Sequence, residues 1–365
     1  MENLTDYLNT SVENLVRSAW RNTLSNPRES SFLARMLPTQ KTAAKKRSES
    51  ELAGLHIPPF LIASIASQCN LHCAGCYARA NHSCCDESSK KELNAEEWRR
   101  VFQDAAKCGV SFILLAGGEP LMRKDVLQFA SEVPEVIFPV FTNGTMMDRP
   151  YLDFFDRSRN MIPVLSIEGD ETRTDSRRGA GTFRLLNDAM EQMRAEGVFY
   201  GSAITVTREN LQEVAGDDFI GRLSEKGCKL VFFVEYVPAQ PGTEKIAPTD
   251  TDRRFLTERL EELRNRYSSI LFLSFPGDEK ALGGCLAAGR GFFHINALGG
   301  AEPCPFSPYS DINMKDHTLK EVMQSPLFRK IEEKGLNNIP HNGGCSLFEQ
   351  RDSVRNILNV QKCGS

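Results

Sequence analysis

Cys69, Cys73 and Cys76 stand close together in the segment Ser67-Gln68-Cys69-Asn70-Leu71-His72-Cys73-Ala74-Gly75-Cys76-Tyr77. Thiolates at this C-x3-C-x2-C spacing can fold round one cluster of iron and sulfide, and three ligands leave a metal corner open to a second molecule. A structural zinc ion would want a fourth ligand, which His72 or His82 offers on spacing alone. Reduced structural thiols are the third reading. A further set, Cys285, Cys304, Cys345 and Cys363, lies near the C-terminus, and the chain holds 11 cysteines in all. An odd number in a chain whose N-terminus shows no apolar signal core points away from disulfides and toward ligation or catalysis.

Composition narrows the rest. The chain has 365 residues, 41% hydrophobic and 25% charged, which is globular and long enough for two domains or one large α/β domain with an appendage. A net charge of -4 gives no basic field for a nucleic-acid partner. The longest apolar runs, such as Phe112 to Ala116 and Ile270 to Phe275, fall far short of the roughly 20 residues a membrane span needs. The expected location is the cytoplasm.

Elements of regular period must hold these cysteines. Residues 1–50 read as a helical, polar extension, with Leu8, Val12, Leu15, Val16 and Trp20 near helical spacing and a basic cluster, Lys41, Lys45, Lys46 and Arg47, expected to be a solvated linker. From Pro58, β-rich runs alternate with helical stretches: Phe60 to Ala66, Phe112 to Ala116, Val136 to Phe141, Pro163 to Ile167, Tyr200 to Val206 and Leu230 to Val237. Long crossovers between them imply a parallel sheet, open or an incomplete barrel, with chemistry at the strands' C-terminal ends. After Pro238 a Pro/Gly/Thr-rich link leads to a helix, a strand at Ile270 to Phe275 and a loop-rich, cysteine-containing tail. Such a tail buries little apolar surface, so a metal staple is expected. The fold class is therefore α/β, divided into an extension at 1–50, a core at 58–240 and a linker with a small cysteine domain at 241–365.

Polar residues cluster where those strands end. Gly117-Gly118-Glu119-Pro120 follows the second strand; two glycines permit close approach to the backbone, and Glu119 can accept from an ammonium. Thr142 and Asn143 follow the third strand, Ser166 and Glu168 the fourth, with Arg178 just before Gly179. Thr205 and Val237 mark the ends of the fifth and sixth. Each also has a structural reading: Asn143-Gly144 makes a good turn, Arg177 or Arg178 can pair on a surface, and Val237 can pack in a core.

Together the cysteine loop and the GGEP turn resemble the radical S-adenosylmethionine enzymes. One departure is Gly75, where many members place an aromatic before the last cysteine; Tyr77 follows it instead. The resemblance implies a partial (β/α)6 barrel and a 4Fe-4S cluster on Cys69, Cys73 and Cys76, with S-adenosylmethionine on the open iron. It implies that Gly117, Gly118, Glu119 and Pro120 receive the methionyl amino group, and that Ser166 and Arg178 serve the carboxylate and ribose. Thr142, Asn143 and Glu168 would line the pocket, and Thr205 and Val237 would meet ribose and adenine. An electron donor such as flavodoxin or ferredoxin is implied as well.

Cys285, thirteen residues, Gly299, four residues and Cys304 are similar to the opening of the SPASM and Twitch auxiliary-cluster domains. The seven-cysteine set of a full SPASM domain is absent, so the likeness is to a shortened form with one auxiliary 4Fe-4S cluster on Cys285, Cys304 and Cys345. Cys363, another group or an open site completes it; a zinc site with His294 or His341 is the alternative. Substrates in such relatives make a peptide or protein the first expectation and oxidation or epimerisation of a carbohydrate-like small molecule the second. A non-enzymatic iron-sulfur or zinc redox protein is the third.

Overall fold

The computed structural model describes residues 4–24, 26–86, 91–282, 284–337 and 345–362. Its centre is a sheet of nine strands: β1 (Phe60–Ala66), β2 (Phe112–Gly117), β3 (Phe138–Thr142), β4 (Met161–Ser166), β5 (Gly201–Val206), β6 (Leu230–Glu235), β7 (Leu271–Phe275), β8 (His294–Ile295) and β9 (Ala301–Glu302). They lie in the order β7-β6-β5-β4-β3-β2-β1-β8-β9. Every pairing is parallel except β8 with β9. Strands covered on both faces need apolar residues at successive positions, and Val164 and Leu165 are accordingly both fully buried. Crossover helices cover the outer face; Ala95–Cys108, for example, starts at a capping box between Asn94 and Glu97 and stops at Gly109 with φ 91°.

All six strands expected from the alternating pattern are present. The seventh, on the far side of the expected boundary near residue 240, pairs in parallel with β6 from Leu230↔Leu271 to Val234↔Phe275. At the other edge β8 pairs with β1, and the β8–β9 hairpin turns where the sequence has Gly299-Gly300. The tail thus extends the core sheet at both edges. Its hairpin is fixed by His294, which meets Glu302 through Nδ1 at 2.7 Å and Ser64 of β1 through Nε2 at 2.7 Å.

The N-terminal extension is helical as expected, but its solvated basic linker needs correction. Helices α1 (Leu4–Asn22) and α2 (Pro27–Leu52) form a hairpin whose Val12, Val16, Leu33 and Met36 pack on Phe112, Ile137, Ile162 and Leu230, at or near the strands' N-terminal ends. The hairpin covers that end of the barrel and leaves the C-terminal end for chemistry. The expected solvated linker is the second half of α2, where Met36, Gln40, Ala43 and Arg47 recur at helical spacing and are buried. Arg47 is 1% exposed and donates to Asn9 Oδ1 at 2.8 Å, Ser111 Oγ at 2.8 Å and the Gly109 carbonyl. Burial lowers its guanidinium to about 10. Only Lys41 and Lys45 of the basic cluster are exposed. Composition had suggested solvent, whereas the helical register decided burial.

Candidate functional site

At the C-terminal end of the sheet lies a cavity of about 290 Å³. Cys69, Cys73 and Cys76 line it from the loop after β1. The loop is held at two levels. Ser67 donates its N–H and hydroxyl to Glu92, and Ala74 is clamped by Arg177: its N–H donates to the Arg177 carbonyl at 2.8 Å, and its carbonyl accepts from Arg177 Nε at 3.2 Å. Burial pushes the Cys69 and Cys73 thiols above their ordinary value; for Cys73 the Arg178 and Arg177 charges oppose it. Ligation requires thiolates, so metal binding here must release protons.

The turn after β2 closes on that loop. Gly118 N–H donates to the Ala66 carbonyl at 2.7 Å and Glu119 N–H to the Gln68 carbonyl at 2.8 Å. A Cβ on Gly118 would stand 1.9 Å from the Gln68 oxygen. The glycine therefore lets this turn approach the cysteine loop, a role that comes before any contact with a ligand. Glu119, 1% exposed, accepts from Leu121 N–H at 3.0 Å, Thr142 Oγ1 at 2.7 Å and Asn143 N–H at 2.8 Å. Three bonds leave one acceptor site of the four on a carboxylate. Burial pushes this carboxyl up, against those hydrogen bonds, and a cation in the cavity would favour its charged form.

Gly117, Gly118, Glu119, Asn143, Ser166, Arg178, Thr205 and Val237 all line the same cavity. Pro120, Thr142 and Glu168 stand behind its wall. Pro120 opens the 3-10 turn Pro120–Met122, and Thr142 orients Glu119. Glu168, 2% exposed, receives Arg177 Nη1 at 2.6 Å, Arg178 Nε at 2.9 Å and Thr205 N–H at 3.2 Å. Asn143 Nδ2 faces Cys69 Sγ at 3.8 Å and donates to Asn70 Oδ1 at 2.8 Å.

Two lining residues escaped the sequence reading. Arg177 was named only as an alternative to Arg178 for pairing on a surface, although it adjoins Arg178 at the end of the helix Glu171–Arg178. Tyr236 is 3% exposed, and its buried hydroxyl has no hydrogen-bond partner among the described residues. A Cβ on Gly75 would meet that hydroxyl at 2.7 Å, so the tyrosine ring fills the space beside Gly75 where a side chain would start. Its place directly after β6, beside Val237, was the available signal.

Behind a wall made by Val234, Glu235, Val237, Phe275 and Phe306 is a second cavity, lined by Cys285, Cys304 and Cys345. Burial drives the Cys285 and Cys304 thiols well above their ordinary value, and Cys304 meets Cys345. Glu279 faces the same space, its carboxyl pushed up to about 8 by burial. His294 is committed to Glu302 and Ser64, away from these thiols. Cys363 and His341 lie outside the described residues. Among the described residues no three His, Cys, Asp or Glu side chains close on a single metal ion. Cys84, Cys108 and Cys228 are buried, and Cys85 is partly so.

The donor set fits a cluster with a zwitterionic, cationic ligand. Three soft thiols share the cavity with a carboxylate that has spare acceptor capacity and two guanidinia balanced by a single carboxylate. A family model described as the Radical SAM superfamily matches residues 64–217. The chain carries a radical SAM domain. It is 28% identical to the Fe-coproporphyrin III synthase of Methanosarcina barkeri (strain Fusaro / DSM 804) over 191 residues, 52% of this chain and 46% of that protein. It is 24% identical to the AdoMet-dependent heme synthase of the same organism over 310 residues, 77% and 87% of the two chains. The mycofactocin maturase MftC of Mycobacterium ulcerans (strain Agy99) is 25% identical over 332 residues, 86% of each. Streptococcus suis SuiB, solved with S-adenosylmethionine and with precursor peptide SuiA, shares the fold at TM-score 0.66; identities are 18% and 17%, over 84% and 86% of this chain and 77% of that one.

In this radical SAM domain Gly118→Ala is expected to weaken S-adenosylmethionine binding by about tenfold or more, because the turn must retreat from the loop by a distance that overpacking penalises by about 1–3 kcal/mol. Calorimetric titration of the anaerobically reconstituted protein checks it.

Proposed function

We propose that this protein is a radical SAM enzyme acting on a peptide or protein, with one 4Fe-4S cluster on Cys69, Cys73 and Cys76 and a second, auxiliary cluster on Cys285, Cys304 and Cys345. The observation that carries the reading is the convergence of the cysteine loop, the Gly117-Gly118 turn and the Glu168-Arg177-Arg178 group on one cavity at the strands' C-terminal ends. When bound, the reduced cluster would pass one electron to the sulfonium of S-adenosylmethionine, whose S–C5' bond would break to give methionine and a 5'-deoxyadenosyl radical able to abstract hydrogen.

The chain's own residues do the rest. Glu119 offers its remaining acceptor site to the methionyl ammonium, and Arg178, aimed by Glu168, offers its fork to the carboxylate. Thr205 and Val237 shape the wall that receives the nucleoside. Phe275 and Phe306 narrow the space toward the second cysteine set and keep water from a reactive centre. Flavodoxin or ferredoxin is the proposed electron donor and the cytoplasm the proposed site; no helix among the described residues is long and apolar enough to cross a membrane.

MftC, named a maturase, and SuiB, solved with a precursor peptide, support a peptide substrate. Two M. barkeri relatives named for haem synthesis favour a second reading, a tetrapyrrole substrate. The protein, reconstituted with iron and sulfide and given dithionite and S-adenosylmethionine, should form 5'-deoxyadenosine. Deuterium carried into that product from a perdeuterated peptide encoded beside the gene supports the first reading, and carriage only from deuterated Fe-coproporphyrin III replaces it with the second. No 5'-deoxyadenosine under any condition refutes both.

A further inference from the structure

We infer that Glu279 is the fourth protein ligand of the auxiliary cluster, completing Cys285, Cys304 and Cys345 with a carboxylate oxygen. The inference rests on the auxiliary-cluster reading above and assigns the position that three cysteines leave open.

Glu279 sits on the 3-10 turn Gly277–Leu282, directly after β7, and its N–H donates to the Pro276 carbonyl at 2.9 Å. β7 is a full member of the sheet, so the turn is held on a rigid element. The side chain is carried inward: Glu279 is 3% exposed and lines the cavity that Cys285, Cys304 and Cys345 line. One face of its carboxyl meets the Leu286 N–H and the Cys285 thiol. The other oxygen, Oε1, is buried and has no hydrogen-bond partner among the described residues.

A buried carboxyl oxygen without a partner costs free energy, and native proteins seldom tolerate one unless a ligand or ion completes it. The other acidic residue of this cavity, Glu235, takes the Arg253 guanidinium at 2.8 Å through Nε. Arg290, whose charge acts on both Cys285 and Glu279, donates Nη1 to the carbonyls of Cys285 at 2.7 Å and Asn337 at 3.2 Å. Glu279 is thus left with an uncommitted oxygen on a residue that lines the same cavity as three thiols. Iron-sulfur clusters accept a non-thiolate protein ligand at one iron, as Rieske centres do with histidine. In a cluster held by these three cysteines, the carboxylate would take the iron that lacks a thiolate.

The test uses the full chain with Cys69, Cys73 and Cys76 all changed to Ala, so that only the auxiliary site can load. Reconstituted with ferrous iron and sulfide, it should hold about four irons per chain, counted chemically and by Mössbauer spectroscopy. Adding Glu279→Gln, which keeps shape and volume, should leave about three irons and the EPR signal of an oxidised three-iron cluster. Adding Glu279→Cys should restore the fourth iron with a changed Mössbauer spectrum, and this arm decides if the Gln chain does not fold. Cys363→Ala should change neither count nor spectrum. Four irons with an unaltered spectrum in both Glu279 variants, or the three-iron form in Cys363→Ala, overturns the assignment. No iron in the starting chain overturns the auxiliary cluster itself, and the assignment with it.

Discussion

Cys73→Ala will reduce 5'-deoxyadenosine formation to the background of protein-free controls while leaving the iron of the second cysteine set in place. In the proposed three-cysteine cluster each thiol is needed because the fourth corner goes to the cofactor, so removing one leaves two protein ligands. Cys73 is the most informative of the three. It lies beside Ala74, the residue clamped by Arg177, and the Arg177 and Arg178 charges favour its thiolate over the thiol that burial favours. Those guanidinia remain in the variant with their partner Glu168, so the cavity keeps its shape and the loss falls on the metal. Iron should drop from about eight per chain to about four. Anaerobic reconstitution followed by iron counting and chromatography of the nucleoside products measures both. A variant that still formed 5'-deoxyadenosine above background would remove Cys73 from the ligand set.

Much of this site was legible before any coordinates. The period of the apolar runs set β1 to β6, and those strand ends named seven residues that line the cavity, because in a parallel α/β sheet one end of every strand faces the same space; Arg178, the eighth, ends the helix Glu171–Arg178. Cys285, Cys304 and Cys345, grouped by the resemblance of the Cys285–Gly299–Cys304 spacing to auxiliary-cluster domains, line one cavity.

What escaped was whatever depended on side-chain reach rather than position. Arg177 and Arg178 are neighbours with the same chemistry, and nothing in the chain order says that both bend toward Glu168 or that Arg177 also grips Ala74. Thr142 and Glu168 are polar strand-end residues like Ser166, yet they turn away from the cavity to orient others. Glu279 was invisible for a similar reason: a single acidic residue in a charged turn, Asp278-Glu279-Lys280, reads as solvated until the fold carries it inward. Arg47 was misread in the same manner, because composition describes a segment and burial follows its helical register.

Glu168→Gln will have the second large effect, and the reason is electrostatic. One carboxylate, 2% exposed, balances two guanidinia whose side chains are 19% and 11% exposed. Removing one partner from a buried ion group leaves uncompensated charge, at a cost of about 3–5 kcal/mol. Gln keeps the volume and can still accept from Thr205 N–H, but its amide N–H₂ faces donors with a donor. Two consequences follow from the connections on either side. Arg178 loses the group that aims it into the cavity, so S-adenosylmethionine binding weakens. Arg177 loses its anchor, so its hold on Ala74 loosens and the first cluster loads less iron. Thermal unfolding should fall by several degrees, and adding S-adenosylmethionine should recover part of that loss, since its carboxylate restores a negative charge beside the guanidinia. Unchanged melting and unchanged iron in Glu168→Gln would show that the two arginines stand without it.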